Sequence, residues 1–265
     1  MTKQPTRGAV FAALAVAGLL IAERTRPRRP RTQAEPARTV RNLVLGGLAM
    51  TVVATLQQPR ARALAVRVEA DRLGLAQRLP TPWLRDAAAF LALDYTMYLW
   101  HVATHRVPLL WRLHLVHHLD LDMDASTALR FHAVDMAVSV PLRLAQVRLL
   151  GVSPRALAAW EAFFNASVLF HHSNLRLPGD AALAWLLTTP GMHDIHHRAE
   201  PDATNANWSS GLSVWDRLHG TLRLTPSAAG IGVAAYRDPA DTTLVAALAL
   251  PFVPQRDAWG QPGLR

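Results

Sequence analysis

At 265 residues, 51% apolar and 18% charged, the chain holds one large domain or two small ones at roughly 150 residues each, and it is too apolar to be disordered. It contains no cysteine, which excludes disulfide staples, thiolate metal sites and a cysteine nucleophile; any metal must be held by nitrogen or oxygen. The 28 Lys+Arg against 19 Asp+Glu do not line one face between aromatic platforms, so no nucleic-acid partner is expected; they flank apolar segments, most densely over 24–31, as membrane-topology signals and contacts to membrane lipid headgroups do.

Residues 8–22 form an apolar run, closed by an arginine block that contains Pro27 and Pro30. It reads as a short span or hairpin arm. A signal peptide with Lys3 and Arg7 as its basic region is the rival reading, but the run ends in Glu23-Arg24 instead of a small-residue cleavage site. Residues 42–56 are a second apolar run, short of the ~17 to 25 residues that usually cross a bilayer. After an amphipathic stretch over 60–78, Pro80 and Pro82 introduce a third helix, 83–105, which begins apolar and ends in aromatics and histidine.

Residues 133–150 and 154–170 are predicted to form a helical hairpin, with Gly151-Val152-Ser153-Pro154 as helix stop and start. With the arginine block on the cytoplasmic side, the positive-inside rule carries every histidine cluster to that side as well. From 177 onward the pattern is mixed until 242–253, which contains Pro251 and suits the membrane interface. The expected fold is therefore all-α: an integral, multi-pass membrane helical bundle with a histidine-rich helical cap on its cytoplasmic side. Residues 1–79 would supply membrane segments and a basic loop, 80–225 the chemistry, and 226–265 an interfacial tail.

Histidine carries the functional signal. His101 and His105 make H-x3-H; His114, His117 and His118 make H-x2-H-H; His171 and His172 are adjacent; His193, His196 and His197 make a second H-x2-H-H. Offsets of three and four return side chains to one helix face, which is metal-ligand spacing. Chance would supply only about 0.02 copies of H-x2-H-H in such a chain. Pro108 breaks the helix between His105 and His114, so both groups can face one centre, and Thr189-Pro190 marks a helix start that puts His193 in the opening turn.

His132 and His219 stand alone. Trp100, Trp111, Trp185, Trp208 and Trp215 suit a membrane-interface belt or the lining of a lipid pocket. One zinc uses about four ligands, whereas eight to ten imidazoles suit two metal ions with room for a small ligand. Imidazole binds iron, zinc, copper and nickel alike, so spacing alone leaves the element open.

The run Asp94-Tyr95-Thr96-Met97-Tyr98-Leu99-Trp100-His101, then His105, Leu110-Trp111-Arg112, His114 to His118, His172-Ser173-Asn174, His193 to His197, Asn207 and Trp215-Asp216-Arg217-Leu218 resembles the fatty acid hydroxylase / sterol desaturase superfamily over about residues 80–225. The resemblance implies a di-iron centre, two Fe ions, that uses O2 to hydroxylate or desaturate a C–H bond of a lipid substrate (sterol, fatty acyl or related). It places metal ligands at His101, His105, His114, His117, His118, His172, His193, His196 and His197, with His171 as a further candidate where Val168 occupies a position the family often gives to histidine. Asp94, His132, Asn207 and Asp216 are candidates for orienting the imidazoles.

Electrons would come from a separate donor protein, since the chain has no glycine-rich nucleotide fingerprint and no haem motif. Val102, Ala133, Asp135 and Ser209 depart from common family residues without touching the clusters. A di-zinc membrane hydrolase and a non-catalytic metal-binding membrane protein are the competing readings.

Overall fold

In the computed structural model, which describes residues 7–257, the chain is helical, and among the described residues strands reduce to isolated bridges such as Pro27 with Leu175. Lys3 and the last eight residues of the tail lie outside the described residues. The helices run α1 (Arg7–Thr25), α2 (Ala37–Val52), α3 (Gln58–Ala70), α4 (Pro82–Arg106), α5 (Pro108–His118), α6 (Ala133–Leu150), α7 (Pro154–His172), α8 (Asp180–Leu183), α9 (Pro190–His196), α10 (Pro201–Thr204), α11 (Val214–Leu218) and α12 (Leu244–Ala249). A π-turn, Val53–Gln57, joins α2 and α3 into one long rod.

The punctuation residues act as their chemistry requires. Gly151 ends α6 in the left-handed region at φ 79°, and Val152 N–H returns to the Val147 carbonyl at 3.1 Å, the Schellman closure of a helix C-terminus. Ser153 then caps α7 by accepting from Ala156 N–H at 3.0 Å. A side chain at Gly74 would strike Gly151 backbone nitrogen at 2.4 Å, so glycine is what lets these two turns touch. Extended Val107 separates α4 from α5 at Pro108.

Two helical stretches among the described residues are long and apolar enough to cross a membrane, Gly8–Thr25 and Ala37–Ala70. The first is almost entirely exposed, and its large apolar residues Phe11, Leu14 and Ile21 face outward, as lipid-facing residues do. The other three segments expected to span do not reach this standard. Arg85, Asp86 and Asp94 interrupt α4, and Asp135, Arg143 and Arg148 interrupt α6.

A core of Ala61, Ala65, Leu93, Val147, Leu157 and Trp160 binds α3, α4, α6 and α7. Small residues on α3 let the other helices approach closely. A second core joins Leu45 of α2 to Leu115 and Val116 of α5 and to Val233, Tyr236, Ala247 and Leu250. Much of the expected interfacial tail is therefore packed against α5.

The arginine block differs from its expected role. Arg28 and Arg29 turn inward to Asp194, Arg31 approaches Asp124, and Arg38 is buried between Asp120 at 2.9 Å and Asp124 at 2.5 Å. Residues 23–42 thus form a strap over the loops that follow α5 and α7 and over α9. The reason is the carboxylates of the loop after α5 and of α9: a desolvated Asp needs a cation, and the strap carries it.

Candidate metal centre

Four elements bring the histidines together. The last two turns of α4 carry His101 and His105, the last two turns of α5 carry His114, His117 and His118, the end of α7 carries His172, and α9 with its following residue carries His193, His196 and His197. Thr189 caps α9 through Met192 N–H at 3.2 Å, which fixes the phase of the last triplet.

Two groups form. His101, His105, His114, His118 and His196 gather one set of ring nitrogens, and His117, His172, His193 and His197 gather the other, each set lying within 4.8 Å. All nine are buried. In the second group the Nε2 atoms step from His117 to His172 to His193 to His197 at 3.1 Å each time.

These contacts fit a cation better than mutual hydrogen bonding. His172 Nδ1 donates to the Val168 carbonyl at 2.7 Å, so in the neutral ring its Nε2 bears only a lone pair, and that lone pair faces two other ring nitrogens. At a metal–nitrogen length of about 2.1 Å, ligands at a right angle stand about 3.0 Å apart and tetrahedral ones about 3.4 Å. The 3.1 Å steps lie within this range of ligand–ligand separations. In the first group the Nε2 atoms of His101, His105, His114 and His196 are buried without any hydrogen-bond partner, an arrangement that costs free energy unless a cation fills it.

Backbone carbonyls set the tautomers. His101 Nδ1 donates to Trp208 oxygen at 2.7 Å and His196 Nδ1 to Ala206 oxygen at 2.8 Å, which leaves each Nε2 free to coordinate. Burial pushes His196 down to about 3 despite the Ala206 contact. Its ring is neutral at physiological pH, the state a metal ligand needs.

The polar residues singled out in the sequence act at one remove. Asp216 accepts from Trp208 N–H at 3.0 Å and Ser209 N–H at 2.8 Å. Asn207, at φ 58°, donates to Met192 and Arg223 carbonyls and accepts from Arg223 N–H. Together they shape the 206–208 turn whose carbonyls orient His101 and His196. Asp94 holds Trp215 and Leu212 N–H and touches no histidine.

His171 belongs to neither group, although its ring centroid lies 4.1 Å from that of His193. His132 is away from both: its Nδ1 caps α6 at Val134 N–H and its Nε2 meets the Leu248 carbonyl. His219 is exposed and bonds Tyr95 hydroxyl at 3.1 Å. Trp111 and Trp208 are buried beside His105; Trp185 keeps an exposed position.

Several contributors sit beside the histidines without a role that the motifs assign. Asp194, inside the last triplet, is clasped by Arg28, Arg29 and Arg198. Burial pushes its carboxyl up, and Arg29 and Arg28 oppose this. Asn174, after His172, exchanges side-chain and backbone hydrogen bonds with Arg29. Asp120, after His118, would be raised by burial, but Arg38 and Arg130 hold it well below the usual carboxylate range. Only the acidic residues beside the histidines hinted at this shell.

Known proteins agree with the geometry. The fatty acid hydroxylase family matches residues 87–221, a stretch containing all nine gathered histidines. Alkylglycerol monooxygenase of Danio rerio is 32% identical over 149 residues, and those of Xenopus tropicalis and Homo sapiens are each 29% identical over 142 and 146 residues. Each alignment covers 54% of this chain and between 30% and 32% of the relative, so the chain spans about a third of the length of the curated relatives it matches. No solved structure matches it. A matched stretch of half the chain, holding two buried imidazole clusters in the order and spacing that the residues themselves suggested, makes this chain a member of the fatty acid hydroxylase family.

Proposed function

We propose that the chain is a membrane-bound di-iron monooxygenase that hydroxylates a lipid C–H bond, with an ether lipid of the alkylglycerol type as its first candidate substrate. The observation that carries this reading is the division of nine buried histidines into groups of five and four, more nitrogen donors than one ion can use. The monooxygenase activity named for the relatives supports both the reaction class and the choice of iron among the metals that imidazole holds.

The overall change is RH + O2 + two electrons + two protons → ROH + H2O, with the electrons delivered by a separate donor protein. The two irons would supply O2 activation. His101, His105, His114, His118 and His196 would hold one ion, and His117, His172, His193 and His197 the other. The carbonyls of Trp208, Ala206 and Val168 keep protons on Nδ1 of His101, His196 and His172, so that each Nε2 stays directed at its centre. Phe131 stacks on His117 with ring centroids 4.5 Å apart, and Trp111 packs on His105 at 5.1 Å. These faces help keep water from the rings.

The bundle would sit in the membrane through α1 and the α2–α3 rod, with the cap on the cytoplasmic side. Reporter fusions after Pro178 should read cytoplasmic; an external reading overturns that orientation. Activity is tested with full-length protein in detergent, loaded with iron and given alkylglycerol, O2 and a reductant. Hydroxylated lipid formed with matching O2 uptake is the expected result. Ester hydrolysis without O2 uptake would instead make it a hydrolase, and stable metal without turnover a binding protein.

A further inference from the structure

Outside the histidine clusters, a cavity of about 150 Å³ opens between the strap, the loop after α5 and the 230–237 turn, with Arg29, Arg31 and Arg237 in its wall beside Asp122 and Asn174. That volume is far above the roughly 15 Å³ that admits one water, so a multi-atom group fits. Arg29 has its carboxylate partner outside the wall in Asp194, and Arg31 has a distant one in Asp124. Asp122 is the carboxylate in the wall, and its oxygens already accept from Thr32 N–H, Thr32 hydroxyl and Gln33 N–H.

The cations are less satisfied. Arg31 Nη2 is buried without a hydrogen bond and lies 4.0 Å from Asp124. Arg237 donates to the Ile231 carbonyl, and among the described residues no carboxylate pairs with it. The strap holds its backbone still: Arg28 N–H and Arg29 N–H bond Asn174, and Thr32 and Gln33 N–H bond Asp122. Guanidinium groups fixed in this way around a small polar cavity suit a tetrahedral oxyanion with several acceptor oxygens.

We infer that this cavity is a binding site for a phosphate monoester group. The group would accept from the Arg31 nitrogen that lacks a hydrogen bond and from Arg237, whose charge no carboxylate meets among the described residues; it would also tie the strap to the 230–237 turn. The phosphate could be carried by a lipid headgroup or by a soluble molecule.

The test uses iron-loaded full-length protein. Inorganic phosphate is titrated by calorimetry into the protein in detergent. In parallel, the protein is captured in nanodiscs of phosphatidylcholine alone or with phosphatidic acid, and retained phosphatidic acid is measured. R31Q and R237Q are compared with wild type, with R31K as a variant that keeps the charge, and iron content and thermal unfolding are followed in each.

Phosphate binding weakened about tenfold or more by R31Q and by R237Q, and less by R31K, supports the site with a soluble source. Selective retention of phosphatidic acid that the same variants abolish supports it with a headgroup source. Neither probe distinguishing wild type from R237Q, whose exposed position leaves folding intact, overturns it. Because the readout is binding at unchanged iron content, the result is independent of the proposed oxygenase activity.

Discussion

Arg29 and Asp194, 165 residues apart in sequence, meet in an ion pair that fastens the strap to the helix carrying His193 and His196. Asp194 is buried and also holds Arg198 at 2.9 Å, so removing its charge strands cations beside the metal cap. D194A should lower stability by about 3 kcal/mol, a cost typical of breaking a buried pair from one side. R29K, which keeps the charge, should cost much less. Denaturation of the detergent-solubilised protein measures both, and equal stability of D194A and wild type would show that the strap does not hold the cap.

Loss of one histidine from either group should abolish turnover. H117A and H196A each remove an imidazole whose position no neighbour can take over, so activity should fall to background and iron content should drop. H219A should leave both nearly unchanged, since His219 is exposed, bonds the Tyr95 hydroxyl and stacks on Tyr95 and Tyr98, away from both groups. Expression and iron must be matched across the set; wild-type turnover in H117A and H196A with loss in H219A would invert the assignment.

The 206–208 turn offers an intermediate case. N207A removes the contacts to Met192 and Arg223, and D216A leaves Trp208 and Ser209 N–H without their acceptor. Both loosen the carbonyls that orient His101 and His196, and a drop of about 10- to 100-fold in iron affinity or activity is expected. Competition with a chelator reads the affinity directly, and an unchanged affinity in both variants would remove the turn from the account.

Much of this was legible in the sequence because the signals are local. Gly151-Val152-Ser153-Pro154, Thr189-Pro190 and Pro108 each act through their own backbone, and the structure uses each as its chemistry suggests. The clusters were equally legible, since offsets of three and four survive any packing. The division into five and four was not, because it separates His117 from His114 and His118 and joins it to His172 across 55 residues. Nor was the inward turn of Arg28, Arg29 and Arg38, because an arginine run reads the same whether its partner is a headgroup or an aspartate distant in sequence.

Acid should destabilise the iron-free protein. Burial holds His196 at about 3, and His118, His193 and His197 are likewise driven well below their ordinary value, first by burial and then by one another. In the unfolded chain each titrates near 6.5. The unfolded state therefore takes up protons that the folded state refuses, and stability, full above about pH 6.5, falls as pH drops toward 3. Denaturation of chelator-treated protein at pH 8 and pH 5 measures this, and equal stability at the two would contradict the burial of neutral imidazoles.

Metal analysis of active full-length protein produced with iron available decides whether the nine histidines hold two irons. About two irons per chain are expected, with loss of both groups' ions tracking loss of activity. A value near one iron, or stable zinc in fully active protein, would contradict it.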